Sequence, residues 1–164
     1  MVLPPESMGA VVSRSPSPSP PLEDLSDALW QVRHLLDVLR FRLEEERGLA
    51  LAGGSSWVAS AHRAVEQAVE RFRVAELVRA MATEAVARDL AVASSPTLEQ
   101  LAAAAPPPWG DILTAHREAL VKSVRSLSDL ADANERLAAS SPGGAAPHPT
   151  RLGPSLTEFI ADAP

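Results

Sequence analysis

Histidines are the side chains in this sequence with the most evident capacity for chemistry. The four are His34, His62, His116 and His148. Metal sites on helices need ligands three or four residues apart on one face. Only His62, four residues before Glu66, has that spacing, and no second histidine or Glu-x-x-His repeat accompanies the pair. We interpret the two side chains as a solvated pair, and the sequence predicts neither a metal nor a cofactor.

Nucleophilic catalysis also lacks its usual residues. The chain has no Cys, which excludes a thiol nucleophile, a disulfide and a thiolate metal site. The serines form no Gly-x-Ser-x-Gly elbow, and no glycine-rich phosphate loop is present. The acidic run at residues 44–46 is most simply a solvated face. The sequence therefore predicts a protein that is not an enzyme.

Charge and hydropathy limit the possible partners. The formal net charge is −6, so the chain lacks the basic footprint of a nucleic-acid-binding protein. No run of 18 apolar residues occurs, which argues against membrane insertion. The N-terminus has no charged segment followed by an apolar one, so no secretory signal is indicated. We expect a cytoplasmic protein.

The elements that would position any site are helices. From Leu22 to Leu43, apolar residues recur at alternating steps of three and four, which is the heptad pattern of a helix packed lengthwise on others. The heptad positions are Leu22, Leu25, Leu29, Val32, Leu36, Leu39 and Leu43. This first helix is predicted to run to about Ala52, where Gly53 can adopt a left-handed cap.

Two further long helices and a short one are predicted. The second runs from a serine cap at Ser55 or Ser56 to about Ala93, and its apolar stripe shifts midway, which indicates a change of neighbours or a bend. A cap at residues 94–96 precedes a short helix at 97–105. The last long helix covers about 108–139, and its seam is Leu113, Leu120, Val124, Leu127, Leu130 and Leu137. Short turns make neighbouring helices antiparallel.

The expected fold class is all-α, an elongated antiparallel bundle of three long helices with a short connecting helix. Proline content sets the boundaries. Residues 1–21 are predicted to be a disordered Pro/Ser-rich leader, either a mere tail or a proline-motif ligand. The helical domain covers 22–139, and 140–164 form a Pro/Gly-rich linker with a short amphipathic tail near 155–160.

Two features stand apart from the seams. On the first helix, Trp30, His34, Asp37 and Phe41 are spaced 4, 3 and 4 and form a second stripe, which points away from the leucines. The stripe is either a partner site or a surface covered by the short helix or the tail. Asn134 lies in the last seam, where a polar residue either fixes register, meets a polar partner or is wetted at a frayed end.

The chain resembles the FlgN family of flagellar export chaperones, in the form found in high-GC Gram-positive bacteria. The resemblance covers roughly residues 25–138 and rests on a combination of short motifs. These are Leu29-Trp30, Arg33, Leu35-Leu36, Leu39, Phe41 and Leu43-Glu44-Glu45, then Trp57, Val65-Glu66 and the run 76–80, then Leu98, Leu101, Ala105-Pro106, Pro108-Trp109, Ile112-Leu113, His116-Arg117, Leu120 and Ala133-Asn134.

This resemblance implies a cytoplasmic chaperone of flagellar type III secretion. Such proteins bind hook–filament junction subunits, hold them unassembled and deliver them to the export apparatus. The C-terminal part of the family's fold is the substrate-binding half, which by position points to the last helix. The candidate partner-binding residues are Leu120, Val124, Leu127, Leu130, Asn134 and Leu137, together with Trp30 and Phe41. An amphipathic terminal helix of a subunit is the expected ligand.

Two other classes stay open. A type VII-secreted helical hairpin would carry a Trp-x-Gly turn and a tyrosine-based signal, whereas here Trp109 adjoins Gly110 directly and the chain has no Tyr. A structural coiled-coil adaptor is the stronger rival. The heptad of the first helix supports self-association, and hence a possible homodimer, as well as packing within the chain.

Overall fold

The computed structural model describes residues 19–53 and 55–140. They form four α-helices: α1 (Pro20–Leu51), α2 (Ser55–Asp89), α3 (Leu98–Ala104) and α4 (Trp109–Ser140). Within this described part there is no strand, and the expected architecture of three long helices with a short connector is confirmed. The helix α1 begins two residues before the expected start, so Pro20 and Pro21 belong to it. Most of the expected leader and tail lies outside the described residues.

The helix α1 is the central element of the bundle, because it packs along both α2 and α4, while α3 packs on α4. Its heptad leucines are fully buried, and Ala28 and Leu35 extend the buried arc on one side. An arc of this width contacts two neighbours at once. The heptad is therefore used for packing within the chain.

Contacts at both ends establish the direction of each helix. Ser19 Oγ donates to Asp89 Oδ2 at 3.4 Å, and His62 pairs with Glu46, so α2 runs antiparallel to α1. Between α1 and α4, the bonded residues differ in number by 90 at one contact and by 91 at another. A constant difference means that these two helices run parallel, as the first and third helices of an up-down-up bundle do.

The turn between α1 and α2 follows the sequence only in part. Gly53 has φ +72° just after the end of α1, as expected of a left-handed glycine. The predicted serine cap is wrong, since α2 begins at Ser55 and both Ser55 and Ser56 lie in its first turn.

The helix α2 ends at Asp89, four residues before the predicted end. The N–H of Val92 donates to Ala87 O and that of Ala91 to Arg88 O, which are the two bonds of a Schellman motif. Ala91 holds the left-handed position with φ 53°. Glycine normally marks this position, so the sequence contained no signal for the stop.

The short helix α3 is capped by Thr97, and the predicted cap at residues 94–96 is wrong. Thr97 Oγ1 accepts from the N–H of Gln100 at 3.2 Å, and the N–H of Thr97 donates to Gln100 Oε1 at 2.9 Å. This reciprocal pair is a capping box. It orients α3 so that Leu101 is fully buried.

The first turn of α4 lies very close to α3. A Cβ atom on Gly110 would approach Ala102 O to 2.8 Å, so only glycine fits here without a shift of the backbone. Glu99 and Arg117 add an ion pair of 3.3 Å between the two helices. Trp109 and Gly110 therefore lie inside a helix that packs on its neighbour, and not at the turn of a hairpin.

Candidate partner-binding site

The histidine with metal-like spacing has a structural contact. The Nδ1–H of His62 donates to Glu46 Oε1 at 2.9 Å, and Nε2 lies 3.7 Å from Glu66. Glu46 is buried. Because Glu46 lies on α1 and His62 on α2, their hydrogen bond links the two helices near their turn. Among the described residues, no three His, Asp or Glu side chains are grouped closely enough to hold a metal ion. None of the four helices combines the length and apolarity that crossing a membrane requires.

The predicted binding residues of α4 fall into two groups. Leu120, Val124 and Leu127 are at most 2% exposed and belong to the common core. Leu130, Asn134 and Leu137, nearer the C-terminal end of α4, are half-buried. Only the second group borders the surface of the folded bundle.

The two predicted aromatics of α1 are both 57% exposed. The Trp30 and His116 rings form a T-shaped contact, with 5.1 Å between centroids, and the Arg33 guanidinium carbon lies 4.2 Å from the Trp30 centroid. Trp30 therefore lies at the boundary between α1 and α4. The guanidinium of Arg42 lies 5.5 Å from the Phe41 ring.

Helical periodicity relates these aromatics to the half-buried residues of α4. Phe41 follows Trp30 by eleven residues, about three turns, and so shares its face. The parallel register puts Phe41 at the same level along the bundle as the turn of α4 that contains Leu130 and Asn134. Leu130 and Leu137 lie two and three heptads after the His116 that touches Trp30, on the same side of α4. We name this surface the α1–α4 flank, formed by Trp30, Phe41, Leu130, Asn134 and Leu137.

Asn134 makes a side-chain contact with α1 at this flank. Its Nδ2 donates to the backbone oxygen of Leu43 on α1 at 2.9 Å. This contact favours the register role over simple wetting at a frayed end. Its Oδ1 is buried and has no hydrogen-bond partner among the described residues, which leaves part of the cost of burying the amide uncompensated.

His116 is the second polar group at the α1–α4 boundary. Its Nε2 shares a hydrogen bond of 3.3 Å with Ser26 Oγ, whereas its buried Nδ1 has no partner among the described residues. Burial, and secondarily the charge of Arg33, lower the pKa of His116 below its ordinary 6.5. The neutral ring is therefore the form that the folded protein favours.

A second exposed apolar surface was not predicted as a site. Four large side chains on α2, between 52% and 66% exposed, share one face: Val74, Leu77, Val78 and Met81. We name this surface the α2 outer stripe. The midway shift of the apolar pattern was its signal in the sequence, but the expected neighbour is missing among the described residues.

Comparison with known proteins identifies the family. The family model described as FlgN protein matches residues 22–141, which include nearly all of the four helices. No curated protein and no solved structure matches the chain. On the strength of the family match, the chain belongs to the FlgN family of flagellar export chaperones, which are not enzymes.

Proposed function

We propose that the protein is a cytoplasmic chaperone of flagellar type III export that binds hook–filament junction subunits. In this role it prevents their premature assembly and delivers them to components of the export apparatus. Family membership supports the general role. The single structural observation that carries the finer proposal is that Trp30 and Phe41 are both 57% exposed on one face of α1, where Trp30 also touches His116 of α4.

The flank has the properties that an amphipathic helix requires of its receptor. Trp30 and Phe41 are eleven residues apart, about 16 Å along α1, which suits apolar side chains on three successive turns of a bound helix. Aromatic anchors supply large contact areas with few rotatable bonds. The guanidinium groups of Arg33 and Arg42 next to the rings favour acidic residues at the edge of the ligand helix.

The buried seam of α4 enters the proposal at a second stage. Leu120, Val124 and Leu127 have no exposed surface to offer while α4 lies against α1. We propose that a subunit helix docks first on the flank, and that these three residues contact it after α4 separates from α1. Such a separation exposes the core face of α1 to the same ligand.

Two exposed tryptophans provide a matched test of the flank. Trp30 is 57% exposed on the flank, and Trp57 is 67% exposed at the start of α2. We expect Trp30→Ala to weaken binding of a peptide from the terminal helix of a junction subunit by at least about tenfold. Trp57→Ala should bind as the wild type does. Titration calorimetry with the full chain measures both, and equal affinities of the two variants would contradict the role of the flank.

Hydrogen exchange distinguishes the two stages of binding. A ligand that only adds to the flank protects the amides of α4 at residues 130–137. A ligand that separates α4 from α1 also changes exchange across residues 113–127, because these residues lose their contacts with α1 and contact the ligand instead. Unchanged exchange throughout α4 at saturating peptide would contradict both modes.

The alternative function is a structural coiled-coil adaptor, which the exposed α2 outer stripe favours. A pull-down from a motile bacterium separates the two. Recovery of hook-associated subunits with the wild type, and their loss with Trp30→Ala, supports the chaperone. Recovery of unrelated partners that Trp30→Ala leaves unchanged supports the adaptor.

A further inference from the structure

The end of the bundle that contains the α1–α2 turn has two large apolar side chains uncovered. Leu51, the last residue of α1, is 64% exposed, and Trp57, in the first turn of α2, is 67% exposed. The two lie opposite each other, because residues that bond between α1 and α2 have numbers that add to 108, as Glu46 and His62 do. We name this surface the turn end, formed by Leu51 and Trp57.

Both side chains lie on faces that are covered elsewhere in the bundle. Leu51 follows Ser26 by 25 residues, about seven turns, so it shares the line of α1 that bonds to His116 of α4. Trp57 precedes the buried Ala75 by 18 residues, five turns, and therefore shares an inward face of α2. The turn end is thus an open end of the core and not part of the outer face of the bundle.

The helix α4 stops just before it reaches the turn end. Asn134 bonds to the backbone of Leu43, so each residue of α4 lies level with the residue of α1 whose number is lower by 91. Ser140, the last residue of α4, is therefore level with a position about 3 Å short of Leu51. Pro142 follows in the sequence, and proline is common just after a helix because it cannot continue one. The chain thus leaves α4 close to the turn end.

We propose that residues 156–160 of this chain fold back and cover the turn end. They lie outside the described residues, and the 15 residues 141–155 connect them to α4. Leu156, Phe159 and Ile160 have the i, i+3, i+4 spacing that brings three side chains to one face of a helical turn. A chain of 15 residues spans at most about 50 Å, and it can return to a site near its start at a modest entropic cost.

The charges near the turn end agree with this occupant. Arg47 precedes Leu51 by one turn, is half-buried and forms no ion pair within the described part of the chain. The acidic residues at positions 44 and 46 already pair with other side chains. Residues 155–164 contain Glu158 and Asp162 and no Lys or Arg. Asp162 lies at the edge of the apolar face of the turn, where it can pair with Arg47.

The size of the turn end favours a tethered segment over a separate protein. Two side chains expose far less than the roughly 800 Å² that each partner buries in a standard interface. A segment joined by a short linker binds at an effective concentration of about 1 mM, so a small contact suffices. The other exposed surfaces fit the tail less well. The α2 outer stripe lies about 27 Å from the end of α4 along the bundle, and each aromatic ring of the flank already lies against a guanidinium group.

Engineered cysteines test the docking, and no natural Cys competes with them. In the full chain with Ala52→Cys and Ala161→Cys, mild oxidation should form an intramolecular disulfide at a rate independent of protein concentration. Phe159→Asp should slow this reaction at least about tenfold, whereas Thr157→Asp, off the apolar face of the turn, should leave the rate unchanged. Trp57→Ala should slow it as Phe159→Asp does. Circular dichroism checks that all variants remain helical.

Two further cysteine positions test the location. Asp37→Cys lies on the face of α1 that contains the flank aromatics, and Ala80→Cys lies next to the α2 outer stripe. Both replace exposed residues, as Ala52→Cys does. Paired with Ala161→Cys, each should form the disulfide more slowly than Ala52→Cys, and neither rate should respond to Phe159→Asp.

The remaining outcomes overturn the proposal. A rate with Ala52→Cys that Phe159→Asp leaves unchanged means that the tail meets the turn end only by random encounter. A response to Phe159→Asp confined to the Asp37→Cys pair would assign the tail to the flank. Disulfide-linked dimers whose yield rises with concentration would assign the turn end to a second copy.

The turn end and the α1–α4 flank have no residue in common, so this inference does not rest on the proposed function. The variant Trp57→Ala separates the two, because it should release the tail and still bind a subunit peptide as the wild type does. Since Phe159 lies outside the described helices, Phe159→Asp keeps the test decisive even where Trp57→Ala disturbs the fold.

Discussion

The pairing of α1 with α2 and the pairing of α1 with α4 share one helix but treat polar groups differently. In the α1–α2 hairpin, the covered polar side chains have partners: Glu46 bonds to His62, and Glu76 to Arg79. Burial raises the pKa of Glu76, although Arg79 opposes the shift. At the α1–α4 contact, two buried side-chain atoms have no partner among the described residues: His116 Nδ1 and Asn134 Oδ1.

This contrast indicates that the two helix pairings differ in stability. An unpaired buried polar atom costs about 1 to 3 kcal/mol, so the attachment of α4 is less favourable than its apolar contacts alone suggest. The candidate flank also lies at that attachment. We infer that the hairpin is the stable frame of the domain, and that α4 is the helix whose position a ligand can change.

The largest expected effect is in the hairpin. Phe72 is 1% exposed at the centre of α2, and Phe72→Ala should lower the free energy of unfolding by about 4 kcal/mol through lost burial and a cavity. Urea unfolding followed by circular dichroism measures the loss. Val74→Ala, two residues away on the exposed face, is the control and should change stability by less than about 0.5 kcal/mol. Equal losses would contradict the assigned faces of α2.

A core substitution in α4 should be less costly and more local. Leu127→Ala should lower the free energy of unfolding by about 3 kcal/mol. Hydrogen exchange should rise more within α4 than within α1 and α2, because the frame holds without α4. A uniform rise over all three long helices would remove the distinction between frame and movable helix.

The register contact at Asn134 should have a moderate effect. Asn134→Asp replaces the amide donor with a carboxylate oxygen that faces Leu43 O, so the free energy of unfolding should fall by about 2 kcal/mol at pH 7. Asn134→Leu removes the unpaired Oδ1 together with the donor and should stay within about 1 kcal/mol of the wild type. If thermal unfolding of the Asp variant matches that of the wild type, the contact with Leu43 is unimportant.

The smallest effect is a pH dependence at His116. The pKa of His116 is lowered in the folded protein, so the neutral ring contributes its full share to the free energy of unfolding above pH 6.5. This contribution is lost as the pH falls from 6.5 through the lower pKa of the folded protein. Melting temperatures at pH 7.5 and 5 should differ less for His116→Gln than for the wild type. The exposed His34→Gln variant serves as the control, and a change there equal to that in His116→Gln would contradict the assignment.

The fold was predictable from the sequence because its information lies in periodic leucines and in breaks at glycine and proline. The strict heptad of α1 predicts the observed helix, and the glycine at position 53 predicts the turn that follows it. The caps at Ala91 and Thr97 were not predictable to the same degree. Ala91 adopts a conformation that its residue type disfavours, and the capping box of Thr97 and Gln100 follows directly after Ser94-Ser95-Pro96, which is itself a typical cap sequence.

For the candidate site, the sequence predicts which residues share a face but not how exposed each side chain is. Spacing alone placed Trp30 and Phe41 on the outer face, and it placed Leu127 and Leu137 in one seam. It did not separate the buried Leu127 from the half-buried Leu137, since that depends on how far the core extends along α4. The same limit applies to Val74 and Met81, whose stripe was visible in the sequence although its exposure was not.

The parallel course of α1 and α4 gives the bundle two unlike poles about 48 Å apart along helices of this length. Ser19 and the α3 connector lie at one pole, and Ser140 and the α1–α2 turn lie at the other. The chain therefore enters and leaves the domain at opposite ends. Because the two ends differ, the bundle can be held at one end while its flank lies toward the other. The distance between dyes attached near Ser19 and Ser140 would report whether the bundle is intact.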